Sequence, residues 1–301
     1  MKTDKIREPV CTFSLIFRLL VFAALIQISA QQAAWAAGSG HSTELERQVE
    51  AYIKNLRRKG VVKSDEKTAW SVYDFTSGEK LVDINEERQM QAASLIKPYI
   101  ALAFFHEVKR KRFIYGPKSR NKMEAMIRNS DNKATNWVIK TIGGPARVQR
   151  ILSRNYGGIF RKTSIVEYIP RNGGTYKNKS SAHDYSRFLY ALWKGNLPYS
   201  DEIKRIMSLS GRDRLVDGVK EIPSGTLVVN KTGSTSMLCG DMGIISVMGR
   251  DGKRYAYTFI GIIEKRKKTG NYSNWISARA NVIRGVSKTV YLYMKKRHSA
   301  L

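Results

Sequence analysis

Residues 91–99 read Gln91-Ala92-Ala93-Ser94-Leu95-Ile96-Lys97-Pro98-Tyr99, QAASLIKPY, and place a serine and a lysine three positions apart in an apolar setting. On a helix that spacing puts both side chains on one face. A serine hydroxyl is a weak nucleophile until a base takes its proton. Lysine can be that base only when its ammonium has lost a proton, and burial or a nearby cation favours the loss. Ile96 and Pro98 flank Lys97, and Ile100, Ala103, Phe104 and Val108 continue an apolar helical pattern. Proline donates no backbone hydrogen bond, which is tolerated best in a helix's first turn. Amide donors and the positive end of the helix dipole would favour negative charge developing at Ser94. The plain alternative is a helix-capping serine beside a surface lysine.

The S-x-x-K pattern is weak by itself, since it recurs at Ser64, Ser77, Ser119 and Ser130. Context separates them. Ser64, Ser77 and Ser119 lie in polar, turn-like sequence that would hold neither partner in place, whereas Ser94 opens an apolar helix.

Outward from this stretch the chain alternates in character. Thr43-Glu44-Leu45-Glu46 has the T-x-x-E capping pattern, and the spacing predicts a helix from there to Gly60. Residues 68–75 alternate as a strand, Ser77-Gly78 turns the chain, and 81–84 return as a second strand. Helices are expected near 123–128, 133–141, 145–154, 181–193 and 200–209, with Gly143-Gly144 as a stop. Apolar, β-branched runs then follow at 227–231, 243–248 and 255–263, with Arg250-Asp251-Gly252-Lys253 as a hairpin turn and a last helix at about 274–290. Strands at both ends with helices between them predict an α/β fold of α+β type. It has one five-stranded antiparallel sheet, flanked by terminal helices, and an inserted all-helical region. The sheet part spans about 37–93 and 215–301 and the helical part about 94–214. A cleft between the two would draw its residues from distant segments.

The first 36 residues read as a secretory signal peptide: a basic start with Lys2, Lys5 and Arg7, an apolar run from Leu19 to Ile28, and an Ala34-Trp35-Ala36 exit. The run falls short of the roughly 20 residues that span a membrane. A mature domain from about Ala37 to Leu301, periplasmic or secreted and without a membrane span, is expected. Cys11 leaves with the signal, so Cys239 stands alone. An intrachain disulfide and a Cys/His zinc site are excluded by count. The formal charge is +28, nearly all of it after residue 36. Such a field favours anionic partners such as cell-envelope phosphates and carboxylates. Export and the lack of any nucleic-acid motif argue against nucleic acid. Lys109-Arg110-Lys111-Arg112 and Lys265-Arg266-Lys267-Lys268 read as solvated faces. His41, His106, His183 and His298 are scattered, no H-E-x-x-H occurs, and no serine sits in a G-x-S-x-G elbow. No metal or cofactor is expected, and the chain is expected to be a monomer. Asp241 reads as a turn or buried polar contact, Trp137 and Trp193 as core, and Cys239 as a packed thiol.

Two further segments join the serine and lysine. Ser130-Asp131-Asn132 falls at a helix boundary, and Lys231-Thr232-Gly233 ends a strand in VVNKTGST. In the order SLIK, SDN, KTG these resemble the three motifs of class A β-lactamases and related penicillin-binding proteins, and the resemblance spans nearly all of the mature chain. It implies that Ser94 is the acylated nucleophile and Lys97 the group that deprotonates it. Ser130 would pass a proton to the departing lactam nitrogen, and Asn132 would hold the substrate's side-chain amide. Lys231 and Thr232 would bind its carboxylate, helped by Arg214, with Gly233, Ser234 and Thr235 lining the same strand. Main-chain N–H groups of Ser94 and Ser234 would form the oxyanion hole. Residue chemistry agrees: acyl transfer needs a nucleophile, a proton shuttle and an oxyanion site, and Lys231 would repel a second positive charge at Lys97.

Two features depart from the resemblance. Only 36 residues separate Ser94 from Ser130, which implies a more open cleft. The family's E-x-x-L-N loop has as its nearest match Glu167-Tyr168-Ile169-Pro170-Arg171-Asn172, without the leucine and with the asparagine one place late. Glu167 is the expected base for the water that cleaves the acyl-enzyme; a surface acid answering Arg161 and Lys162 is the alternative. The expected activity is opening of a β-lactam amide through a Ser94 ester. The alternatives are a penicillin-binding D,D-peptidase or transpeptidase acting on peptidoglycan stem peptides, and a non-catalytic, basic envelope-binding protein.

Overall fold

The computed structural model describes residues 42–170, 177–209, 211 and 213–301. The expected signal peptide, Arg171 and Asn172 lie outside the described residues. Helix α1 (Glu44–Arg58) is capped by Thr43, whose Oγ1 accepts from Glu46 N at 3.0 Å. The capping box closes only halfway. Glu46 turns its carboxylate to Asp83 N (2.8 Å) and Thr43 Oγ1 donates to Leu81 O (2.5 Å), so the cap ties the helix to the sheet.

Strands β1 (Glu66–Asp74) and β2 (Glu79–Ile84) form the first hairpin. Strands β5 (Leu227–Thr235), β6 (Leu238–Met248) and β7 (Arg254–Lys265) form the second group. They assemble into one antiparallel sheet in the order β2-β1-β7-β6-β5, so β1, from the first half of the chain, pairs with β7, from its end. A two-residue pair, β3 (Met90–Gln91) with β4 (Lys179–Ser180), lies apart from it. The expected five-stranded antiparallel sheet is present, with β5 and β6 each beginning or ending several residues beyond the apolar runs that predict them.

Apolar side chains on one sheet face (Ile245, Val247, Tyr257, Phe259) pack with α1 and the last helix, α8 (Tyr272–Arg297). Those on the other face (Met242, Ile244, Ile260, Ile262) pack with the helical region. That region comprises α2 (Lys97–Lys109), α3 (Pro117–Arg128), α4 (Asn132–Ile142), α5 (Pro145–Asn155), α6 (Ala182–Trp193) and α7 (Ser200–Ser208). Because both faces of β6 are covered, it reads as a continuous apolar run rather than an alternating one. Helix α2 is apolar nearly all round and sits in the middle of the helical layer, with Ile100, Leu102, Ala103, Phe104 and Phe105 buried. Trp137 and Trp193 pack half-buried against this core as expected.

One sequence-based assignment is corrected. Ser119 lies not in a turn but in α3, where its Oγ donates to the carbonyls of Ile114 and Gly116. Pro117 opens that helix at a position where the missing N–H costs nothing. Among the described residues no helix is long and apolar enough to cross a membrane.

Candidate active site

Ser94 sits in a short 3₁₀ turn (Ala93–Ile96) that runs directly into α2. The turn presses on the sheet where the sheet has no side chains. A Cβ on Gly233 would lie 2.7 Å from Leu95 Cγ and 3.2 Å from Leu95 N, and one on Gly240 would lie 3.1 Å from Leu95 Cδ1. Glycine in the KTG segment therefore lets the residue next to Ser94 lie against β5. Ala93 holds φ at 45° and Ser130 at 54°. Two non-glycine residues in the left-handed region, one beside the serine and one at its hydrogen-bond partner, mark backbone held by its surroundings.

The SDN segment has a local logic of its own. Asp131 caps α4, its Oδ1 accepting from Ala134 N at 2.7 Å. The cap leaves Ser130 just outside the helix and Asn132 as its first residue. Both face the first turn of α2, where Lys97 is fully buried. Lys97 Nζ donates to Ser130 O (2.5 Å), Ser130 Oγ (3.1 Å) and Asn132 Oδ1 (2.9 Å). Ser130 Oγ in turn donates to Ser94 Oγ at 2.8 Å. A hydrogen-bonded chain thus links lysine to serine through a second hydroxyl.

Burial pushes the Lys97 ammonium down to about 7, and the charge of Lys231 pushes it the same way, against the pull of Asp131. The position at the start of a helix, where the dipole disfavours cations, acts in the same sense. Lys231, on β5, is 1% exposed and donates to Thr232 O at 2.9 Å. Burial lowers it to about 8, Arg214 adds to the fall, and Asp241 opposes it.

Arg214 is not a loose surface charge. Its guanidinium donates to Gly240 O (2.6 Å), Gly233 O (3.3 Å) and Ser234 Oγ (2.7 Å), and its main-chain N–H donates to Asp241 Oδ2 (2.7 Å). Asp241 is a buried polar contact, as expected, and also accepts from Asn230 Nδ2 at 3.0 Å. Burial raises its carboxyl to about 6, against the attraction of Arg214. Along β5 the side chains alternate. Lys231, Gly233 and Thr235 are buried, while Thr232 and Ser234 are half-buried. Thr235 Oγ1 bonds Gln91 Oε1 (3.3 Å) and accepts from Met237 N (3.1 Å), which assigns it to holding the strand's end rather than lining the cleft. Cys239 is buried and its thiol is pushed up to about 11 by that burial, the state of a packed thiol.

Glu167 lies on the segment between α5 and β4. Its main-chain N–H donates to Asn178 Oδ1, its carbonyl accepts from Asn178 Nδ2, and its Oε1 accepts from Lys177 N, each at 3.1 Å. Two residues on, Ile169 is clamped by Asn136. The side-chain amide of Asn136 donates to Ile169 O and accepts from Ile169 N, both at 2.8 Å. Asn132, which accepts from Lys97, and Asn136, which holds the main chain of Ile169, stand one turn apart on α4. Sequence reading missed Asn136, Asn178 and Leu95. For Asn136 a signal was present: it repeats Asn132 at the i, i+4 spacing.

Ser94, Lys97, Ser130 and Asn132 thus converge, Lys231 acts on Lys97 from the adjoining strand, and Thr232, Gly233, Ser234 and Arg214 stand on or against the same strand. Glu167 is tied through its described partners to Lys177 and Asn178. No group of three or more His, Cys, Asp or Glu among the described residues could hold a metal ion.

Solved structures share this architecture. PBP-A matches with a TM-score of 0.68 and 22% identity, over 84% of this chain and 97% of that one. A beta-lactamase from Chitinophaga pinensis DSM 2588 matches with a TM-score of 0.67 and 16% identity, over 84% of this chain and 100% of that one. An ancestral class A beta-lactamase, GNCA, matches with a TM-score of 0.66 and 18% identity, over 83% and 100%. At these identities they establish the fold. No curated protein sequence matches the chain. The model of the beta-lactamase enzyme family (Beta-lactamase2) matches residues 47–115 and 117–294, most of the sequence. With that match and a shared fold that carries all three motifs, the chain belongs to the beta-lactamase enzyme family.

Proposed function

We propose that this family member is a serine hydrolase that opens the β-lactam amide through an ester at Ser94, and that Glu167 assists the slower hydrolysis of that ester. The observation that carries the reading is the chain from Lys97 Nζ through Ser130 Oγ to Ser94 Oγ, at 3.1 and 2.8 Å, headed by a lysine whose ammonium is held near a pKa of about 7. With Lys97 neutral, the hydrogen bonds reverse. Ser94 Oγ–H donates to Ser130, Ser130 donates to Lys97 Nζ, and the serine oxygen is freed to attack the carbonyl carbon. Main-chain N–H groups of Ser94 and Ser234 would hold the oxyanion. Collapse breaks the lactam C–N bond, and Ser130 delivers the proton from Lys97 to the departing nitrogen. Lys231, Thr232 and Ser234, with Arg214 behind Ser234, would hold the substrate carboxylate, and Asn132 the side-chain amide.

Deacylation is the weaker half. The Glu167 carboxylate already accepts the N–H of Lys177 at Oε1, which stabilises its charged form and weakens it as a base for water. A second reading, a penicillin-binding D,D-peptidase or transpeptidase acting on stem peptides, is favoured by Asn136, one turn from Asn132, holding the main chain of Ile169 rather than that of Glu167. An isoleucine cannot activate water as a carboxylate can, and the ester of a transpeptidase would wait for an amine acceptor. In both readings export delivers the protein to the cell envelope.

A PBP-A variant of similar fold was solved as an acyl-enzyme with penicillin G, which makes penicillin G the first substrate to try. Intact-protein mass spectrometry should show a penicillin adduct on the wild type and none on Ser94→Ala. An adduct that decays, and decays more slowly in Glu167→Gln, supports hydrolysis. An adduct that persists identically in both supports the peptidase. Equal inertness of wild type and Ser94→Ala would end both.

A further inference from the structure

At the far end of α2 from Lys97 lies a second concave site, a cleft of about 320 Å3 between the end of α2, the turn at 111–112 and α5. That volume is within the range of about 300–1,000 Å3 that small-molecule sites occupy. Arg110 is separated from Lys97 by thirteen helical steps, about 20 Å, so the cleft is distinct from the serine site. Its wall is made of arginines. Helix α5 presents Arg147, Arg150 and Arg154 at the i, i+3, i+7 spacing of a single face, and Arg110 and Arg112 close the opposite side.

One acid stands among them. Glu107, 2% exposed, forms the floor and pairs with Arg112 at 3.2 Å and Arg147 at 3.0 Å. Arg110, Arg150 and Arg154 have no ion pair among the described residues. Arg147 with Arg150, and Arg150 with Arg154, are like charges at i, i+3 and i, i+4, a spacing that is unfavourable on a helix. The fold therefore assembles an uncompensated positive cleft with arginines on two facing sides. Guanidinium forks suit oxyanions, and donors converging from facing sides suit a tetrahedral group with three free oxygens better than a planar carboxylate.

We infer that the cleft between α2 and α5 is a phosphate-binding site, built to hold the phosphate group of an anionic ligand at Arg110, Arg150 and Arg154, with Glu107 orienting Arg112 and Arg147. Its arginines keep their charge across the physiological pH range, and burial lowers the pKa of His106, the one histidine of the lining. It gives the protein's large positive charge one place of specific attachment, separate from its chemistry. The phosphate can come free in solution or carried on an envelope polymer; both present the same group.

The test is calorimetric titration of the purified protein at low salt with inorganic phosphate, with a poly(glycerol phosphate), and with poly-glutamate as a carboxylate control. The variant Arg110→Glu/Arg150→Glu/Arg154→Glu is compared with Arg58→Glu/Lys59→Glu/Lys63→Glu, which removes the same charge from α1 and the turn after it. Saturable binding of either phosphate probe, weakened about tenfold or more (about 1.4 kcal/mol) by the cleft variant and little by the control, is the expected result. Binding of the polymer alone assigns the site to a polymer-borne phosphate, and equal binding of both assigns it to the free ion. Equal loss in the two variants reduces the effect to bulk charge and overturns the site. So does poly-glutamate binding as tightly as the phosphate polymer, or no saturable binding of either phosphate probe. Melting curves check folding. If the triple variant does not fold, Arg150→Glu alone, at an exposed position, is read against Arg58→Glu in the same way.

Discussion

The two sides of the serine cleft are built differently. The acylation side is made of regular elements: Ser94 on the turn that starts α2, Ser130 and Asn132 at the capped start of α4, Lys231 on β5. Each position follows from a helix or strand whose backbone satisfies itself. The segment that carries Glu167, residues 161–169, has little regular structure beyond a main-chain bridge of Ser164 with Lys179, and elsewhere distant side chains satisfy its backbone groups. Asp184 accepts from Lys162 N (2.8 Å), Gln149 from Ile165 N (2.7 Å), Asn178 from Val166 N (2.8 Å), and Asn136 from Ile169 N (2.8 Å). A site resting on regular elements keeps its geometry when one contact changes. A segment hung on four side chains can be re-aimed by one of them. The contrast predicts that changes on the first side abolish chemistry, and changes on the second alter the fate of the ester.

The largest expected effect is complete. Ser94→Ala leaves no covalent penicillin adduct by mass spectrometry, while melting at the wild-type temperature. Next, Lys97→Met keeps the apolar surroundings and removes the base. Acylation should fall about 10²–10⁴-fold, the usual weight of a positioned proton-transfer group.

The pH profile sharpens the same point. Lys97, held at about 7, must be neutral to accept a proton, so acylation rises as pH climbs through about 7. Lys231, held at about 8, must be charged to hold a carboxylate, so acylation falls as pH passes about 8. Stopped-flow measurement of acylation against pH should give this narrow bell. In Lys97→Met the rising limb near 7 should be missing from the residual rate.

Gly233→Ala tests the pressed turn. A Cβ at 2.7 Å from Leu95 Cγ and 3.2 Å from Leu95 N must shift the turn that carries Ser94. Overpacking of this kind costs about 1–3 kcal/mol, to be read as a lower melting temperature together with slower acylation.

The smallest effect belongs to the hung segment. Asn136→Ala removes two hydrogen bonds to Ile169, worth about 1 kcal/mol each. Acylation should stay within about twofold of wild type while the lifetime of the adduct changes. A large loss of acylation in that variant would break the distinction between the two sides.

Much of the fold was legible because it rests on periodicity and punctuation. The runs at 227–231, 243–248 and 255–263 fall inside the observed strands, the run at 68–75 passes the end of β1 by one residue, and Gly143, at φ 111°, ends α4 where its doublet with Gly144 indicates. The candidate acylating groups were legible for a related reason. SLIK and SDN each sit at the start of a helix, where local rules place the side chain, while KTG lies within β5, which runs two residues past it to Thr235. Thr235 and Glu167 were less so. Which way Thr235 points depends on Gln91, 144 residues away. The Glu167 carboxylate accepts from the main-chain N–H of Lys177, ten residues on.

By itself the sequence determined the sheet-and-helix layout, the serine–lysine pair at the start of an apolar helix and the scale of the positive charge, because local periodicity and residue type carry those properties. Tertiary structure alone decided that Lys97 reaches Ser94 through Ser130, that Asn136 holds the main chain of Ile169, and that five arginines from α5 and the turn after α2 share one cleft. Each depends on contacts between segments far apart in the chain, and a contact of that kind leaves no period in either segment to be read.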